Sequence, residues 1–373
     1  MGRNISLHVK SVAAASLLTI LLIILYVYND SVGVQVWSYA GAGGTEAHQD
    51  QGHTTDDIPN IVHFVYILAN ESKGFNFEFS HFLSMYAVSL YWEPDTIFLH
   101  TNVDPDGTAV ARARDGFGGK WNKLIFTYFN LDIRKVEVPS YANNGVKIQG
   151  LEHKSDFVRV KAVQEHGGIY IDWDVHALRD VKSLRQSGFN AVAGRQAHGQ
   201  INSGTFMSKK GAKMIDMWTD GMHEAYNGGW TTHSNEVITR VGELLVQEPG
   251  EMLILERDAF APGSWESKDT DNLFQSHAEP AGFTEHELAA MRSLRLAESE
   301  TPGDVPEWAW NWSHTYLLHA FSPDRWHQKV HGYDHISPAY VLRRDSNFGR
   351  AVYPAVLHMY REGLIGVNDP YDG

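Results

Sequence analysis

The residues richest in chemistry in this chain of 373 residues lie close together, between Asp156 and Asp174. The stretch reads Ser155-Asp-Phe-Val-Arg-Val-Lys-Ala-Val-Gln-Glu-His-Gly-Gly-Ile-Tyr-Ile-Asp-Trp-Asp174. On a helix, Asp156 and Arg159 stand three residues apart and share a face. Gly167-Gly168 ends that helix, as a left-handed cap requires, and Ile169-Tyr-Ile-Asp172 restarts the chain as a strand. Residues two apart on a strand point to the same side, so Asp172 and Asp174 are presented as a pair. Two carboxylates held that closely repel unless a cation or a proton intervenes. Hard oxygen donors of this kind suit Mn²⁺ or Mg²⁺, and those cations in turn suit a diphosphate. Taken singly, the pieces carry little: an Asp–Arg pair on a helix is commonly a surface ion pair, and Asp-x-Asp arises often by chance. Helix face, Gly-Gly turn, strand and Asp-Trp-Asp together are far more specific.

The elements that must position these groups alternate. Ile61–Leu68 is a short, β-branched apolar run that reads as a buried strand, with further strand runs at Thr96–His100, Ile133–Val138, Ala191–Gly194, Ile201–Ser208 and Met252–Leu255. Helical spacing appears at Phe79, Phe82, Leu83, Tyr86 and Leu90, and again over 153–165, 211–225 and 234–246. Alternation of this kind predicts an α/β fold with a mostly parallel sheet. Ligands in open α/β sheets bind beyond the carboxyl ends of the strands, where Asp172 and Asp174 fall. The stretch 261–305 is polar and punctuated by Gly and Pro, and reads as an insertion. Within it, Thr284 and Glu287 have the spacing of a capping box that starts a helix.

Composition narrows the function classes. With 43% hydrophobic and 20% charged residues the chain is globular, and its net charge of −14 offers no footprint for a phosphate backbone, so no nucleic acid is expected. The absence of Cys excludes a disulfide framework, a thiolate nucleophile and Cys-based metal sites. Val12–Tyr28 is uncharged and long enough, at the short end, to span a bilayer. Arg3 and Lys10 precede it and no Lys or Arg follows before Lys73, which places the N-terminus in the cytosol and the rest in the lumen. The expected layout is a cytosolic tail (1–11), a signal anchor (12–28), a flexible stem (29–57) and a catalytic domain (58–373).

The quoted stretch resembles the signature of glycosyltransferase family 32, whose members carry a DXD sugar-binding region. The family includes fungal mannosyltransferases and α-1,4-galactosyl- and N-acetylglucosaminyltransferases. Ile58-Pro-Asn-Ile-Val-His-Phe-Val-Tyr66 is similar to that family's first strand, and His319-Ala-Phe-Ser-Pro-Asp-Arg-Trp326 to its C-terminal His…Trp element, with extra residues around Pro323. The resemblance implies a GT-A fold, a nucleoside-diphosphate sugar donor, Mn²⁺ (or Mg²⁺), and transfer of a hexose to a glycan, glycoprotein or glycolipid acceptor with retention. It also implies a type II anchor in the Golgi membrane. Carried over by motif, Asp174 would ligate the metal and Asp172 would contact the metal shell, ribose or donor sugar. Asp156 and Arg159 would hold the sugar's hydroxyls and the phosphate side. His63 would sit near the base, Asn202 would face the sugar, and His319 would offer a further metal ligand. Two other readings stay open: a non-catalytic, membrane-tethered binding protein on the same scaffold, and a haloacid-dehalogenase-like phosphatase. The latter expects its Asp pair near the start of the domain and Thr or Val where His176 stands. Donor base, sugar, acceptor and linkage are not encoded in these motifs.

Overall fold

A computed structural model describes residues 57–279, 282–293 and 305–373. The expected tail, anchor and almost all of the stem therefore lie outside the described residues, among which no helix is long and apolar enough to cross a membrane. The strands are β1 (Ile61–Val65), β2 (Thr96–Thr101), β3 (Leu131–Lys135), β4 (Gly168–Ile171), β5 (Val175–Ala177), β6 (Ala191–Arg195), β7 (Ile201–Ser208), β8 (Met252–Leu255) and β9 (Leu317–His319). Seven of them form one sheet in the order β3-β2-β1-β4-β7-β6-β8, while β5 and β9 pair in a separate ribbon. Within the sheet only β7 runs against its neighbours β4 and β6, and every other pairing is parallel. This is the mostly parallel α/β sheet that the alternating pattern predicts.

Side-chain alternation along the strands sorts the core onto two faces. Val62 and Phe64 of β1 and Ile169 and Ile171 of β4 join one cluster, covered by helices Phe79–Trp92, Lys120–Tyr128 and Asn347–Arg361. Val65 and Tyr170 fall in the other, covered by helices Leu151–His166, Lys213–Ala225 and Asn235–Leu245. A fully buried large apolar side chain contributes roughly 1.5–3 kcal/mol, and an exposed ion pair at most about 1. The layers, not the polar groups, therefore hold the frame on which the site sits. Leu273, Phe274 and Met291, from the described parts of 261–305, join the first cluster.

Several boundaries differ from expectation, each for a local reason. The first strand ends at Val65; past it Tyr66 N–H still donates to the His100 carbonyl at 2.9 Å, and the Leu68 backbone is held by Asn102, its N–H donating to Oδ1 at 2.8 Å and its C=O accepting from Nδ2 at 2.9 Å. Tyr66, Ile67 and Leu68, held in this way, line a cleft. The third strand starts earlier, at Leu131, since it pairs with β2 from Ile97 through Thr101. The Gly-Gly turn is tighter than a left-handed cap. Gly167 has φ +70° with ψ −175° and Gly168 has φ +107°. A Cβ on Gly168 would stand 2.4 Å from the Ile61 carbonyl oxygen. The capping box forms as expected, with Glu287 N–H donating to Thr284 Oγ1 at 3.2 Å and Thr284 N–H to Glu287 Oε2 at 2.8 Å.

Candidate active site

Strand order reverses between β1 and β4: β2 and β3 extend on one side of β1, and β4 lies on the other. That switch opens a crevice at the carboxyl ends of the two strands, where open α/β sheets bind ligands. Here it is a cleft of about 840 Å³ lined by Tyr66, Asn70, Lys73, Glu78, His81, Arg159, Asp172, Asp174 and Arg325, among others. A smaller recess of about 160 Å³ joins it, sharing Glu152, Arg159, Asp172 and Arg325 and adding Asp156, Asn202, Asn235, Trp230, Trp265, His319 and Phe321.

Asp172 and Asp174 play different parts. Asp172 is anchored on its strand side: Arg159 Nη1 reaches its two carboxylate oxygens at 3.3 and 3.1 Å, and the Tyr170 hydroxyl donates to Oδ1. Tyr170 is two residues before Asp172 and points to the same face, toward the helix that carries Arg159. The same guanidinium donates to the Ser203 carbonyl at 3.0 Å and to Asp156, whose other oxygen meets His233 Nε2 at 2.7 Å. Asp156 and Arg159 do share a helix face, 7% and 8% exposed, and Arg159 bridges the helix to the end of β4. Burial pushes the Arg159 guanidinium down, but Asp172 and Tyr170 outweigh it and hold the group above its ordinary value, so it stays cationic.

Asp174 faces His319 instead, with Nε2 3.4 Å from Oδ1, and its backbone C=O accepts from Ala320 N–H at 2.9 Å. The β5–β9 ribbon makes this pairing, since Val175 stands opposite His319. Burial raises the Asp174 carboxyl; His319, Arg325 and His176 more than offset it and hold it below the usual carboxylate range. Asp172, Asp174 and His319 thus offer ligand atoms within 4.8 Å of one another, a mixed oxygen and imidazole set that fits Mn²⁺ or Mg²⁺. The floor of the set is Gly204, where a Cβ would come within 2.7 Å of His319 Cε1 and 2.8 Å of Asp172 Oδ2. Asn202 orients the imidazole: Gly204 N–H donates to Asn202 Oδ1 at 2.6 Å, so Nδ2 is the atom facing His319 Nδ1 at 2.7 Å. An amide NH₂ there makes Nδ1 the acceptor and leaves the ring proton on Nε2, directed at Asp174. His319 therefore ligates through Nε2 only after a tautomer change and a turn of the Asn202 amide, whereas the two carboxylates are ready as they stand.

The expectation for His63 is corrected. Its ring is fully buried and lines neither cavity. His63 Nε2–H donates to the Gly167 carbonyl at 2.8 Å, which makes Nδ1 an acceptor, and His100 Nε2–H donates to it at 2.9 Å. The parity of β1 decides this: His63 points to the helix-side face, two residues before the strand end that borders the cleft. Trp173, between the aspartates, packs on Phe64 and Phe77 and donates to the Val65 carbonyl at 2.8 Å, tying β4's end to β1's. Trp310 and Trp312 pack against the core, and Trp308 stacks on His277 at 3.9 Å.

Sequence reasoning passed over Tyr170, His233 and Arg325. Tyr170 was recoverable from strand parity, whereas His233 arrives from a distant loop and Arg325 from the short 3-10 helix Pro323–Trp326, inside the quoted His…Trp stretch.

Residues 98–190 match the family described as glycosyltransferase sugar-binding region containing DXD motif. "Glucan organizing enzyme 1" of Cryptococcus neoformans var. grubii serotype A is 25% identical over 235 residues, which span 59% of this chain and 57% of that protein. Among solved structures, the glycosyltransferase GlyE of Streptococcus pneumoniae TIGR4 aligns over 84% of this chain and 66% of its own at 12% identity and a TM-score of 0.36. An active-site mutant of LgtC aligns over 80% and 95% at 13% identity, also with a TM-score of 0.36. The match to that sugar-binding region takes in Asp156, Arg159, Asp172 and Asp174, the helix face and strand end that build the site.

Proposed function

We propose that the chain is a metal-dependent hexosyltransferase of GT-A fold that moves a sugar from a nucleoside diphosphate to a glycan, glycoprotein or glycolipid acceptor with retention of configuration. One observation carries the reading: Asp172, Asp174 and His319 converge within 4.8 Å at the strand switch, beside the cations of Arg159 and Arg325. Asp174 and Asp172 would hold a Mn²⁺ or Mg²⁺, which would supply charge stabilisation to a departing diphosphate. Arg325 adds a fixed positive charge at the junction of the two cavities, suited to the same anion. The large cleft has the size of a nucleotide site. Tyr66, Asn70 and Asn76, which line it, offer an aromatic surface and amides for a base and ribose. The recess beyond Arg159, lined by Asp156, Asn202 and Asn235, suits a sugar's hydroxyls. Val12–Tyr28 supports a further proposal, a single-pass type II anchor in the Golgi membrane with the catalytic domain luminal.

The test uses the full chain in detergent against a panel of UDP- and GDP-hexoses, with Mn²⁺, with EDTA, and with Asp174→Asn alongside. The reading requires release of the nucleoside diphosphate from one donor, abolished by EDTA and reduced at least a hundredfold by the substitution. Turnover indifferent to EDTA, or none with any donor, overturns it. Proton NMR of the product's anomeric centre decides retention, and protease protection in intact microsomes decides topology.

A further inference from the structure

Two histidines line the cleft with hydrogen-bond donors that no described residue accepts. His81, on the first turn of helix Phe79–Trp92, lines it together with Asp174 and packs edge-on against Phe77 and Trp173, ring centroids 5.8 and 5.7 Å away. Its Nδ1 accepts the Glu78 backbone N–H at 2.8 Å in the capping box of that helix. That nitrogen therefore carries no proton, and the ring's own proton sits on Nε2. A second proton would set N–H against N–H and undo the cap. Among the described residues nothing accepts from Nε2. His176, on β5, lines the same cleft, is fully buried, and has no partner at either ring nitrogen. A neutral imidazole always holds one N–H, and buried donors are nearly always satisfied, so an acceptor-rich occupant of the cleft is what both rings lack.

Resting on the transferase reading above, we infer that His81 is a further catalytic residue, a neutral imidazole whose Nε2–H donates to the donor's diphosphate as it departs. In the transfer the bond from the anomeric carbon to the β-phosphate oxygen breaks, and its electron pair stays on that oxygen. The acceptor's hydroxyl oxygen bonds the anomeric carbon, and its proton is released to solvent. His81 keeps its own proton throughout and hydrogen-bonds the diphosphate that takes the charge. A donor already oriented, as the Glu78 N–H orients this one, needs no reorganisation when that charge develops. The helix behind it, 14 residues long, turns its N-terminal end and partial positive charge to the same anion, and a helix N-terminus favours the neutral imidazole. Service to Asp174 or to the metal is the competing outcome.

The experiment uses the full chain with the donor selected above, and compares His81→Ala and His81→Gln. Gln offers the same pair of groups, an amide oxygen for the Glu78 N–H and an N–H₂ beyond it, and capping boxes accept Gln at this position. His81→Ala should lower kcat about a hundredfold while the donor's KM moves less than about threefold, because the charge is not yet developed in the bound donor. His81→Gln should recover at least about tenfold of that loss. Calorimetry gives a readout without turnover. In the presence of Mn²⁺, His81→Ala should weaken the nucleoside diphosphate about tenfold and leave the monophosphate of the same base unchanged. Affinity for Mn²⁺ alone should stay within about twofold, which also reports that the variant folds. A kcat within about threefold of the unaltered chain, no recovery with Gln, equal weakening of mono- and diphosphate, or Mn²⁺ affinity falling with kcat overturns the assignment and leaves the transferase reading standing. Absence of donor turnover in the unaltered chain overturns both.

Discussion

At the scale of single residues, the site separates two aspartates that the motif presents as equals. Asp172 is fixed by Arg159 and Tyr170, while Asp174 depends on His319, whose ring is steered by Asn202. Outer-shell groups of this kind typically change metal affinity about 10–100-fold. Asn202→Asp places a carboxylate oxygen opposite His319 Nδ1, so the ring proton moves there and Nε2 is freed. Calorimetric titration with Mn²⁺ should show affinity rising about tenfold, and an unchanged or weaker affinity would exclude His319 from the ligand set. Arg159→Ala leaves Asp156 and Asp172 without their shared cation. Removing one partner from a buried ion pair costs about 3–5 kcal/mol, a loss that urea unfolding would register. Arg159→Lys should recover only part of it, because a point charge cannot meet Asp156, Asp172 and the Ser203 carbonyl at once.

Elements matter where they leave the sheet. The Gly167-Gly168 turn lets the Leu151–His166 helix feed β4 without a gap, so that Arg159 on the helix meets Asp172 beyond the strand. Gly168 has no room for a side chain against the Ile61 carbonyl, and its positive φ penalises any L-residue. Gly168→Ala is expected to destabilise the chain by about 2–3 kcal/mol, read as a shift in the urea midpoint at constant slope. Gly204→Ala acts differently, since it intrudes on Asp172 and His319 from below. Its overpacking cost is about 1–3 kcal/mol, and Mn²⁺ affinity should fall with it. Gly168→Ala, once folded, should keep that affinity.

For the whole molecule, buried histidines tie stability to pH. Burial holds His63 down to about 4 and His100 to about 3, and burial together with Arg159 holds His233 at about 4. His63 and His100 already share one proton between facing nitrogens, so a second would set N–H against N–H. Each folded value lies below the unfolded one near 6.5. Above that pH both states are neutral there and nothing is lost. As pH falls from about 6.5 toward 4, the unfolded chain takes up protons that the folded chain refuses, and stability declines. Thermal unfolding between pH 7.5 and 4.5 should show a falling midpoint, and His63→Gln with His100→Gln should flatten that slope. A midpoint constant across the range would contradict the account.

Sequence by itself determined the class of the fold and the nucleus of the site. Short, β-branched apolar runs alternating with stretches of helical spacing are what helices packed on both faces of a mostly parallel sheet require. The run from Asp156 to Asp174 is local enough that helix, turn and strand geometry place Arg159 by Asp172 without help from the rest of the chain. Tertiary structure decided everything that depends on which distant segments return to that sheet end. His319 reaches Asp174 because β9 pairs with β5, across more than 140 residues of chain. His233, Trp230, Trp265 and Phe321 arrive on loops with no periodicity to read, and Arg325 on the short 3-10 helix Pro323–Trp326. His63 shows the same limit from the other side: its strand was legible, but the strand's parity and its partner across the turn sent the ring into the core. Local periodicity encodes which elements form, whereas contacts between distant segments are chosen by packing over the whole sheet, and only the folded chain contains that information.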